Sequence, residues 1–227
     1  MVEDIEDIIK LVVLIIKSPY LFIYNVIQFL GWLLFFVKVT LCLTKKLSIS
    51  EIYDETHYIL ECCQYGAFLE IIHSLLGIVK SSIIATSIQI LGRIGIVAIL
   101  QIFRSAVSSG YLFIYFAWSM VEITRYYYYL FTIIKRLKKN FEIPYILKWC
   151  RYSFFILLYP TGVTGEIIIL LHAKKDLGKY KLGNNYTFEH LVYPICILYI
   201  PCLIFLYYHL FLLRSKALRL KIEEKRE

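Results

Sequence analysis

The sequence predicts an all-α, polytopic membrane protein: a bundle of six transmembrane helices with a kinked fifth helix. Three observations carry this reading. The 227 residues are 59% hydrophobic and only 19% charged, against about half and a quarter in soluble domains. The apolar residues come in blocks approaching the 20 or so that a membrane helix needs. Those blocks do not alternate apolar with polar residues, as the strands of a closed barrel would. A disordered chain, a collagen-like fibre and a soluble α/β enzyme are excluded.

Residues 1–17 are expected to form a short N-terminal interfacial segment. Their opening, MVEDIEDIIK, is acidic where a signal peptide is basic, so the spans themselves must direct insertion. The first span runs from Tyr20 to Leu43, after Pro19, with Lys38 near its end. A second, from Tyr65 to Val79, is the shortest and carries Glu70 and His73. The third, Ser81 to Phe103, is interrupted by Gln89 and Arg93. Gly110 to Ile134 is the fourth, with Glu122 and Arg125 inside it. The fifth, Tyr145 to Leu171, holds Lys148, Arg151 and Glu166, and the sixth, Tyr193 to Leu213, is the cleanest. Residues 18–216 then make one six-helix domain, and 217–227 a charged tail. No internal repeat or long linker divides the chain.

The net charge is +8, but no basic stripe is interleaved with exposed aromatics, so nucleic acid is not an expected partner. The cations fit an orientation signal better. With six spans, thirteen Lys and Arg fall on the side of the two termini and seven on the other, which predicts both termini in the cytosol. The six cysteines form no C-x-x-C pair and the five histidines no H-E-x-x-H motif. No metal site, disulfide framework or cofactor is expected.

An ionisable group at the bilayer centre costs at least about 2.5 kcal/mol. Arg93, Glu122 and Arg125 therefore mark either an internal polar site or buried ion pairs. Glu70 and His73 are three residues apart, on one helix face, and are read as a helix-packing pair. The run Tyr126 to Tyr129 is read as an interfacial aromatic belt.

The segment Tyr159-Pro-Thr-Gly-Val-Thr-Gly-Glu166 is of another kind. Pro160, Gly162 and Gly165 interrupt an apolar span, and broken backbone at that depth needs protein or a cavity beside it. Tyr159 and Glu166 are seven residues apart, so on a helix they fall within about 20° of one another. A kink at Pro160 would draw them closer. An acid and a base on one face beside a helix break is a catalytic arrangement.

The stretch Lys148-Trp-Cys-Arg-Tyr-Ser-Phe-Phe-Ile-Leu-Leu-Tyr-Pro-Thr-Gly-Val-Thr-Gly-Glu166 resembles the signature of the very-long-chain (3R)-3-hydroxyacyl-CoA dehydratases, also called protein tyrosine phosphatase-like. Other blocks agree in order: Tyr20-Leu21, Tyr24-Asn25, Gln28 and Gly31-Trp32; Leu69-Glu70, His73, Gly77 and Ser81-Ser82; Gln89 and Arg93; Trp118-Ser119, Glu122-Ile123 and Arg125-Tyr126; and Asn184-Asn185-Tyr186-Thr187-Phe188. The resemblance spans about residues 18–216. Gly92 departs from it, since the family tends to have Ser before the arginine.

The resemblance implies a hydro-lyase of fatty-acid elongation in the endoplasmic reticulum, converting (3R)-3-hydroxyacyl-CoA to trans-2-enoyl-CoA without a cofactor. It implies the condensing enzymes and reductases of the elongation cycle as partners, beside the long-chain acyl-CoA and membrane lipid. The family's catalytic pair falls on Tyr159 and Glu166. Elimination needs a base for the C2 proton and an acid for the C3 hydroxyl. Glu166 suits the base and Tyr159 the acid or donor, though the roles could be reversed. Gly162 and the charged Glu122, Arg125 and Arg151 are read as supporting the site, the charged three equally as a structural ion-pair network. Lys135, Arg136, Lys138 and Lys139 are candidate contacts for the CoA head group, or orientation signals only. A non-catalytic scaffold of the elongation complex is the alternative. A transporter is disfavoured by the missing inverted repeat.

Overall fold

The structure is a computed structural model. It describes the backbone of residues 2–138, 140–181 and 186–223, and the side chains of residues 18–138, 140–181 and 186–218. The side chains of the interfacial segment 1–17 and of the tail beyond residue 218, with Lys139 and Asn184-Asn185, lie outside the described residues.

The described fold is helical. Its helices are α1 (Val2–Thr44), α2 (Ile49–Gly66), α3 (Leu69–Leu75), α4 (Ile83–Ile102), α5 (Ser109–Leu137), α6 (Tyr145–Ser153), α7 (Phe155–Leu177) and α8 (Val192–Glu223). Two single 3₁₀ turns, Arg104–Ala106 and Phe188–Leu191, join the longer elements. Four stretches are long and apolar enough to cross a membrane: Ser18–Thr44, Ile83–Ile102, Phe155–Leu177 and Phe188–Leu218. The chain is a multi-pass membrane protein, and the surfaces of these helices agree. On α1, Ile23, Ile27, Leu30, Leu34 and Leu41 are each more than half exposed. The same holds on α8 for Ile197, Leu198, Ile200 and Ile204. Apolar faces of that extent belong against lipid rather than water.

The expected second span is not one helix. Tyr65 and Gly66 end α2, Leu69–Leu75 is a separate short helix, and residues 76–82 are not helical. The helix that follows the first span is α2, whose polarity concealed it. Its start is fixed by a capping box: the Ser48 side chain accepts from the Glu51 N–H, and the Ser48 N–H donates to the Glu51 carboxylate at 2.7 Å. Ile52, Tyr53, Thr56, Ile59, Leu60 and Cys63 then form a buried helical stripe. That stripe packs on α1, where the Gln28 amide donates to the Cys63 carbonyl at 3.2 Å. It also packs on α5, where Thr56 and Tyr111 share a hydroxyl hydrogen bond of 2.9 Å.

The expected fifth span is divided too. A single residue, Phe154, separates α6 from α7, six positions before Pro160. Pro160 lies inside α7, where its ring removes the donor for the Ile156 carbonyl. The Tyr207 hydroxyl of α8 donates to that carbonyl at 2.8 Å, so the gap left by proline is filled from a neighbouring helix. The fourth span is present as α5, which falls short of the hydropathy of the other long helices. Its Tyr111, Trp118, Glu122 and Tyr126 are buried among neighbouring helices instead of meeting lipid.

Candidate active site

The site is built on α5 and α7, which run antiparallel: Gly110 meets Ile169, and Trp118 meets Gly162 and Glu166; farther along α5, Tyr129 meets Arg151 of α6. Their close approach depends on two glycines. A Cβ on Gly165 would stand 2.7 Å from the Cβ of Phe113 and 2.8 Å from the Gly110 carbonyl; one on Gly110 would stand 2.5 Å from the Gly165 carbonyl. Small residues at such crossings let membrane helices pack backbone to backbone. Gly162 differs, since a Cβ there would meet Ala117 and Trp118 at an ordinary 3.5 Å.

This packing sets Tyr159 and Glu166 along one cavity of about 430 Å³, mostly apolar, between α4, α5, α7 and α8. Glu166 is buried and accepts a hydrogen bond from the Trp118 indole at 3.2 Å. Tyr199 of α8 lines the same cavity and interacts with the same carboxyl. The Tyr159 ring is held edge-to-face between Phe155 and Tyr207, at 6.5 and 6.2 Å between centroids.

A second, more polar cavity of about 810 Å³ adjoins the first. Tyr159 and Arg93 line both. Its floor is an ion-pair network. Arg93 bonds to Glu122, and Arg125 donates to the other Glu122 oxygen at 2.7 Å. Arg125 also grips Glu70 of α3 in a two-pronged contact at 2.5 and 2.7 Å. Tyr126, fully buried, donates to the same Glu70 carboxylate at 2.5 Å. The Arg93 guanidinium lies 5.2 Å from the Trp118 ring, which links the network to the donor that holds Glu166.

Arg151 has a different environment. Its guanidinium lies 5.6 Å from the rings of both Tyr129 and Tyr152 and donates to the Tyr129 hydroxyl at 3.2 Å. Its Nε is buried without a hydrogen-bond partner, and no carboxylate pairs with it among the described residues. A half-buried cation without a counter-ion is costly, and it lines the polar cavity. Lys80 and Arg136 line it as well.

The candidate residues are therefore distributed as follows. Tyr159 and Glu166 share the apolar cavity, while Glu122, Arg125 and Arg151 line the polar one. Of the loop cations, Arg136 lines the polar cavity, Lys135 and Lys138 are exposed away from it, and Lys139 lies outside the described residues. Glu70 and His73 do not pair with each other: His73 bonds to Tyr20 at 2.7 Å, and Glu70 to Arg125. Tyr126 to Tyr129 do not act together as an interfacial belt: Tyr126 is inside the network and Tyr128 and Tyr129 line the cavity, while Tyr127 alone of the four is exposed. Trp118 and Tyr199 were missed as site residues. Trp118, Glu122 and Arg125 recur at a spacing of four and three, one helix face, and that was the available signal.

Comparison with known proteins adds to this geometry. The family model "Protein tyrosine phosphatase-like protein, PTPLA" matches residues 64–220. The chain is 34% identical over 222 residues to very-long-chain (3R)-3-hydroxyacyl-CoA dehydratase 2 of Mus musculus, covering 93% of this chain and 85% of that protein. It is 31% identical over 215 residues to dehydratase 1 of Canis lupus familiaris, covering 90% and 84%. A probable dehydratase of the same name from Schizosaccharomyces pombe is 31% identical over 210 residues, covering 89% and 94%. No solved structure matches the chain.

Proposed function

The chain belongs to the protein tyrosine phosphatase-like, or PTPLA, family, and from that premise we propose how it works as a very-long-chain (3R)-3-hydroxyacyl-CoA dehydratase. The observation that carries the reading is the meeting of two cavities at Tyr159, one polar and cationic, the other apolar and holding Glu166. An acyl-CoA has the same division. Its phosphate-bearing end cannot enter hydrocarbon, whereas its acyl chain belongs there. The thioester then sits near the junction, with C2 and C3 between Tyr159 and Glu166.

Glu166 removes a proton from C2 and Tyr159 donates one to the C3 oxygen. The C–H electrons become the C2–C3 double bond, and the hydroxyl departs as water. Glu166 then returns its proton to the phenolate, so the pair is restored without a cofactor. Trp118 and the Arg93–Glu122–Arg125 network hold the acid–base pair in register, and Gly162 keeps the α7 face open beside Trp118. Arg151, lacking a counter-ion, pairs with a phosphate of the coenzyme, with Arg136 and Lys80 nearer the mouth.

The same reading gives six passes, made by α1, α2, α4, α5, α6 with α7, and α8. Loops 1–2 and 2–3 carry the same cations whether the second pass is α2 or the later segment, so both termini remain cytosolic by charge. Residence in the endoplasmic reticulum, and contact with the condensing enzymes and reductases of elongation, follow from the activity. Purified protein in lipid nanodiscs, given a 3-hydroxyacyl-CoA, should yield trans-2-enoyl-CoA. Binding of the substrate with no enoyl product would favour the non-catalytic scaffold instead.

A further inference from the structure

The face of α4 turned to the apolar cavity is built from Ile88, Gly92, Gly95 and Ile99, spaced four, three and four apart. A glycine inside a helix costs about 1 kcal/mol relative to alanine, so two of them ask for a reason. Elsewhere in this molecule the reason is a neighbour: a Cβ at Gly31 would strike the Cys63 sulfur at 2.7 Å, and one at Gly66 the Gln28 amide at 2.6 Å. At Gly92 and Gly95 nothing lies within 4 Å of an added Cβ. Among the described residues no helix packs into this notch. The space before it is the cavity that contains Glu166.

That cavity is not closed by protein. Leu91 on α4 is 52% exposed, and Leu198, across the gap on α8, is 58% exposed. Size points the same way. At about 430 Å³ the cavity falls in the range that encloses a drug-sized ligand, short of a very long acyl chain. A longer chain must leave the cavity, and the only apolar surroundings beyond the exposed leucines are lipid.

We propose that the substrate's acyl tail passes out of the protein into the bilayer between α4 and α8, over the notch formed by Gly92 and Gly95. The proposal rests on the dehydratase reading. It makes the cavity a socket for the first part of the chain and removes any upper limit on chain length set by the protein. It also gives Gly92 a role in keeping that passage wide.

The test uses a twenty-six-carbon 3-hydroxyacyl-CoA with a photoreactive diazirine at its last carbon, and the wild-type chain in phospholipid nanodiscs. Irradiation should attach the tail mainly to phospholipid, whereas a twelve-carbon analogue should label the protein. In Gly92→Phe and Gly95→Phe, the ratio of kcat/KM for the long substrate to that for the short one should fall at least tenfold. Labelling by the long chain confined to protein, or an unchanged ratio in variants with native elution and helicity, overturns the portal. If the wild type dehydrates neither substrate, the dehydratase reading has failed; if it dehydrates both and lipid is unlabelled, only the portal has.

Discussion

The Trp118 indole N–H is the donor that α5 offers to Glu166, and Trp118→Phe removes it while keeping the ring. A hydrogen bond to a charged group contributes about 1.5–3 kcal/mol, so kcat should fall roughly ten- to hundredfold with little change in KM. A matching rise in KM alone would mean that Trp118 only shapes the cavity. Arg151 makes a sharper demand. Arg151→Gln should raise KM about tenfold for 3-hydroxyacyl-CoA, from a lost charge-assisted bond, but leave the phosphate-free pantetheine thioester unaffected. Equal effects on the two substrates would refute the phosphate pairing. At this scale the sequence was readable where chemistry leaves a spacing: Tyr159 and Glu166 lie seven apart, and both line one cavity. It was unreadable where partners come from other helices. Nothing in the local pattern says that Glu70 reaches Arg125, 55 residues away, rather than His73.

Among the elements, α5 and α7 bear the closest packing, and their glycines predict opposite outcomes. Gly165→Ala forces a Cβ against Phe113 and the Gly110 carbonyl, which should cost about 1–3 kcal/mol. Gly162→Ala meets only ordinary contacts and gains helix propensity, so its stability should hold or rise slightly. Thermal unfolding of both variants in one detergent checks this, and equal midpoints would contradict the packing described. The elements that sequence misplaced share a cause. Hydropathy averages around a helix, so it hides α2, whose apolar stripe is buried behind polar residues, and favours the apolar run through Tyr65–Val79 in its place. Proline marks a break in the fifth span by sequence, but the Tyr207 hydroxyl satisfies the carbonyl that Pro160 orphans, and α7 runs on through it. The interruption between α6 and α7, at Phe154, keeps helical dihedrals and has no local signature.

For the whole molecule, the charge distribution and the cavities have to agree on one orientation. Lys80 and Arg136 line the polar cavity, and both fall on the side predicted to face the cytosol, where acyl-CoA is dissolved. Tags at the two termini should therefore both be removed by protease added to intact microsomes; protection of either one would require an odd number of passes. The central claim is that dehydration runs through Tyr159 and Glu166 at the junction of the cavities. Its most direct test is single-turnover conversion of 3-hydroxyacyl-CoA by wild type, Tyr159→Phe and Glu166→Gln in nanodiscs, with substrate binding measured alongside. The account predicts that each variant binds substrate with near-native affinity and forms enoyl-CoA at least a hundredfold more slowly, about 2.7 kcal/mol of lost transition-state stabilisation. Near wild-type turnover in either variant would contradict it.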